Sequence, residues 1–91
     1  MTKDEAYEVA ALFDEDDIIV SVTSEPAYSK GYMTGLRYYD VELIPWYNVP
    51  LGDLAKQFEK VPDGYVVTLG TRGLDTCVFI RSENRNASRE F

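Results

Sequence analysis

Any chemistry this chain performs has to start from Asp14-Glu15-Asp16-Asp17, its one dense carboxylate cluster. Carboxylates can act as general acid and base or hold a hard cation, but both tasks need side chains that converge on one point. Adjacent residues point in different directions. A calcium loop alternates its ligands and carries a glycine at the sixth position, and this run does neither. The chain has no histidine. That removes the commonest general base and transition-metal ligand, and with it Ser-His-Asp and Cys-His catalysis. One cysteine, Cys77, is too few for a zinc site. It sits in an apolar stretch without an adjacent base, as a small core hydrophobe would. Gly70-Thr71-Arg72-Gly73 lacks the Lys-Ser/Thr step of a phosphate loop. The sequence therefore predicts no enzyme, no cofactor and no bound metal.

Charge is what remains, and it is lopsided. Residues 1–45 hold ten acids and three bases, a net −7, whereas residues 46–91 hold six of each and balance. A nucleic-acid binder needs the opposite sign to neutralise phosphates, so direct binding of DNA or RNA is not expected. No apolar run approaches the ~20 residues that span a bilayer. The N-terminus carries acids where a signal peptide carries bases. A lone cysteine agrees with a reducing compartment. The expectation is a cytoplasmic protein with no membrane contact.

Aromatic residues are concentrated too. Tyr28, Tyr32, Tyr38, Tyr39, Trp46 and Tyr47 place six of the twelve aromatics within residues 28–47. Tyrosine and tryptophan contribute large contact area at modest entropic cost, which favours them at interfaces.

These residues must be positioned by a few short elements. Thr2-Lys3-Asp4-Glu5 is a capping box, and Ala6, Val9, Ala10 and Phe13 recur at i, i+3, i+4, i+7. Together they predict a helix over about 3–13. Carboxylates oppose a helix C-terminal dipole, so the acidic run should be a turn. A strand follows over about 17–24, stopped by Pro26, with a long loop over 25–35. The next strand covers about 36–44. Its alternation puts Tyr39, Val41 and Leu43 on an apolar face and Tyr38, Asp40 and Glu42 on an outer, solvated one. Pro50 opens a second helix whose stripe is Leu51, Leu54, Ala55 and Phe58. Strands over about 65–69 and 75–81 flank a five-residue loop. From Ser82 the chain turns polar, so residues 1–82 read as one α+β domain and 83–91 as a polar tail. The order is α-β-β-α-β-β, about four antiparallel strands with two helices packed on one face. An offset of 45 residues aligns the two helical stripes, although any two amphipathic helices can be aligned this way.

The functional expectation follows from the charge split. A non-enzymatic binding protein would present Asp14, Glu15, Asp16, Asp17, Asp40 and Glu42, with Tyr38, Trp46 and Tyr47, to a basic surface of a partner. Such a surface satisfies lysines and arginines that otherwise meet phosphates, as a nucleic-acid mimic does. Small acidic proteins of this size include phage-encoded inhibitors of host nucleases or polymerases, and immunity proteins or antitoxins against basic toxins. The similarity is one of size and charge only, and the cytoplasm would be the host cell's if a phage encodes the chain. The alternative is a structural or assembly subunit that forms a homodimer through a sheet edge or the aromatic loop.

Overall fold

A computed structural model describes residues 1–83, except for the side chain of Arg72. Within them the elements run α1 (Lys3–Ala10), β1 (Ile18–Ser29), β2 (Tyr32–Pro45), α2 (Leu51–Phe58), β3 (Tyr65–Arg72) and β4 (Asp75–Ser82). The four strands form one antiparallel sheet in the order β1-β2-β4-β3, so the fold is α+β as the sequence predicts. Of the tail expected at 83–91, only Glu83 is described, its amide donating to the Gly64 carbonyl at 3.0 Å.

α1 starts where the capping box puts it. Thr2 is the N-cap, and its Oγ1 accepts from the Glu5 amide at 3.1 Å. Ala6 and Val9 are buried against the sheet, and Phe13 is buried just beyond the helix end. The charged N-terminal amine donates to the Tyr39 carbonyl at 3.4 Å and so ties the start of the chain to β2.

The first hairpin is longer than the sequence suggests. Residues 25–35 are not a loop: β1 continues to Ser29, and Lys30-Gly31 alone make the turn. Both turn residues have positive φ, 51° and 83°, the combination a two-residue I′ turn requires. Pro26 does not stop the strand, because β1 lies at the sheet edge, where a missing amide donor leaves no ladder bond unmade. The register shifts between Pro26 and Tyr28 instead. The second hairpin also turns tightly, at Gly73-Leu74, with Gly73 supplying a φ of 62°.

The register lays out the core in rows. On the helix-facing side Val22, Val41, Ile80 and Val67 stand abreast, and below them Val20, Leu43, Val78 and Leu69. Val41, Leu43 and Ile80 are fully buried. Burial of such side chains stabilises by about 1.5–3 kcal/mol each. α1 lies over β1 and β2. α2 reaches the core with Leu54 and Phe58, both only half-buried. Its expected stripe is partly wrong: Leu51 is 83% exposed, and the buried residue of this helix is Gln57.

The outer side of the sheet is not the open, solvated face expected. Phe79 lies across Gly70, where a Cβ would come within 2.5 Å of the ring, and the Arg81 guanidinium stacks 5.0 Å from the Phe79 centroid. Cys77 on the same side is buried. No helix of the described residues is long and apolar enough to cross a membrane.

Candidate partner-binding surface

The acidic run is a built turn. Asp14 Oδ1 accepts from the Asp16 amide at 3.0 Å, the side-chain-to-backbone bond by which aspartate initiates turns. Gln57, buried on α2, locks the turn from behind. Its Oε1 accepts from the Asp14 amide at 3.1 Å and from Lys60 Nζ at 2.9 Å, while its Nε2 donates to Asp17 Oδ2 at 3.3 Å. The polar groups that satisfy Gln57 explain why a glutamine occupies the interior position of α2. No periodicity of apolar residues could reveal it.

With the turn held in this way, Asp14, Glu15 and Asp16 are exposed and Asp17 is half-buried. Among the described residues no lysine or arginine pairs with any of the four. Trp46 joins them directly. Its amide donates to the Asp17 carbonyl at 2.9 Å and its indole Nε1 to the Glu15 carbonyl at 3.0 Å. The ring is half-exposed beside the acids, and Tyr47 next to it is 92% exposed. Asn48 follows with a φ of 65°, a left-handed conformation that asparagine tolerates.

A groove of about 600 Å³ opens from the same end, between α1 and the edge strand β1. Tyr7, Ala10, Phe13, Val20 and Val22 give it an apolar lining, and Asp14 and Glu15 an acidic one. Asp4 and Glu8, one turn apart on α1, are also exposed.

Asp40 and Glu42 belong elsewhere. They point to the outer side of the sheet, as the alternation predicts, but they are 5% and 2% exposed. The cause is strand order. β2 is an interior strand, so its outward side chains are flanked by β1 on one side and β4 on the other. Glu42 faces Phe79 across the ladder, and Asp40 Oδ2 lies 3.4 Å from Arg81 Nε. Tyr38, on the same side, is half-buried. The nine residues singled out from sequence therefore divide into an exposed group at one end, Asp14 to Asp17 with Trp46 and Tyr47, and a covered group on the outer face, Tyr38, Asp40 and Glu42. The groove residues Tyr7 and Ala10 were missed, since the groove between α1 and β1 is made by residues distant in sequence and exists only once the chain folds.

Tyr65 links β3 to α1. Its hydroxyl donates to Glu5 Oε2 at 3.1 Å. Burial first, then this hydrogen bond and the negative charges of Glu5 and Glu8, push the phenol above its ordinary 10.0. Among the described residues no group of three or more Cys, Asp or Glu side chains is arranged to hold a metal ion.

No family model, no curated protein and no solved structure matches the chain.

Proposed function

We propose that this protein is a non-enzymatic binding protein whose acidic end occupies a basic surface of a partner protein. The partner's own ligand would be a phosphate backbone, as in a nuclease, a polymerase or a nucleic-acid-directed toxin. In that role the protein acts as an inhibitor or an immunity-type protein. The observation that carries the reading is the junction of Trp46 with the exposed acidic turn through two backbone carbonyls of that turn. A rigid aromatic anchor set among exposed carboxylates suits a partner rich in arginine, which can pair with the acids and stack on the ring. The negative charge would also steer association. Asp40 and Glu42 take no part, because their burial makes them structural.

The test is affinity capture from a nuclease-treated cell extract by the wild-type chain and by a Glu15→Lys/Asp16→Lys variant, which leaves the turn-building Asp14 carboxylate in place. The expected result is a basic protein that the wild type retains at low salt and the variant does not. Capture that is indifferent to the charge reversal contradicts the reading.

A further inference from the structure

The two edges of the sheet are treated differently. Exposed edges invite pairing with another chain, and proteins blunt them with charge, proline or a bulge. β1 has all three: the acidic turn at its start, Glu25 and Pro26 within it, and a register shift after Pro26. β3 has no proline and no register shift, and its one charged residue is Arg72 at its very end. From Tyr65 through Thr71 no residue carries a formal charge at neutral pH. This edge is apolar on both faces, with Val66 exposed on one side and Val67 and Leu69 on the other, Leu69 by 79%. Leu74, at the adjoining turn, is fully exposed.

We propose that β3 pairs antiparallel with β3 of a second copy, joining two four-stranded sheets into one. Charge selects the occupant. A twofold contact sets each surface against itself, so a chain of net charge −7 cannot easily meet a copy through its acidic end. The neutral β3 edge carries no such repulsion. The sequence is also self-complementary. The seven uncharged residues are centred on Thr68, and antiparallel pairing about that residue sets Val67 of each copy against Leu69 of the other. Those are the exposed residues of the helix-facing side. The contact runs about 24 Å along the strand, at the small end of specific interfaces, so the dimer is weak and concentration-dependent. In it the two β1 edges, each with its acidic turn, lie at opposite ends of the combined sheet. The dimer does not depend on the acidic end having a partner, and each proposal can fail alone.

Sedimentation of the purified chain over a concentration series tests it. The mass should rise from one chain towards two. Leu69→Lys, at an exposed position, should hold it at one chain with an unchanged circular dichroism spectrum. Should that variant misfold, Thr68→Cys gives an independent readout. The residue meets its own copy at the twofold, so mild oxidation should yield a cross-linked dimer faster than Tyr28→Cys does on the far hairpin, while Cys77 stays buried. A wild-type chain that remains monomeric throughout overturns the proposal. So does a dimer that survives Leu69→Lys, or faster cross-linking at Tyr28→Cys.

Discussion

Ala6, Val9 and Phe13 of the first half are buried and Ala10 is half-buried, whereas of their counterparts 45 residues on Leu51 and Ala55 are exposed and Leu54 and Phe58 only half-buried. Each half is a helix followed by a hairpin, and the order β1-β2-β4-β3 sets the two hairpins side by side about the central pair β2 and β4. The first half closes its apolar face under α1 and presents acids. The second leaves Val67 and Leu69 uncovered and is electrically neutral. The same element order thus yields one surface suited to a charged partner and another suited to an apolar, uncharged one. What separates them is helix placement: α1 lies over its own hairpin, whereas α2 is tied through Gln57 to the acidic turn of the first half.

Paired truncations measure this contrast most strongly. Phe13→Ala should cost about 3–5 kcal/mol of unfolding free energy, as for a buried phenylalanine. Phe58→Ala, half-buried, should cost roughly half as much. Equal losses in urea titrations would mean that the second half is as closed as the first. Gly70→Ala probes the side on which the second half is closed. A methyl there collides with the Phe79 ring and should cost about 1–3 kcal/mol through overpacking. The pair Gly70→Ala with Phe79→Leu should recover part of that loss, and no recovery would place the strain elsewhere.

Exposed positions should respond through binding rather than folding. Glu15→Lys/Asp16→Lys, at exposed side chains outside the hydrogen bonds that build the turn, should change stability by only about 0.5 kcal/mol, as surface changes usually do, while abolishing capture of a basic protein. A large drop in melting temperature would show that these carboxylates are structural. The smallest expected effect concerns pH. Tyr65 has a folded pKa above its ordinary value, so the stability it contributes is complete below about pH 10 and declines as pH rises through the raised folded value. Tyr65→Phe should remove that decline from the alkaline limb of a stability–pH profile.

Local signals in the sequence mark the elements well. Thr2 and Glu5 mark the start of α1, the alternation of Tyr39, Val41 and Leu43 marks β2 and its core face, and Pro50 stands at the entry to α2. What escapes is everything that depends on which strands are neighbours. Pro26 reads as a stop until β1 is known to be an edge. Asp40 and Glu42 read as solvated until β2 is known to be interior. Leu51 reads as core because periodicity ranks residues by apolarity, whereas Gln57 is buried for its hydrogen bonds. The acidic turn was visible as a charge run, but its union with Trp46 spans 29 residues or more of sequence and is created only by folding.

The most direct test of the acidic end as a docking surface is the association rate of the captured basic protein as a function of ionic strength. A rate that falls steeply with added salt, and that Glu15→Lys/Asp16→Lys reduces to the high-salt value, is the predicted result. A rate unchanged by both salt and charge reversal would contradict it.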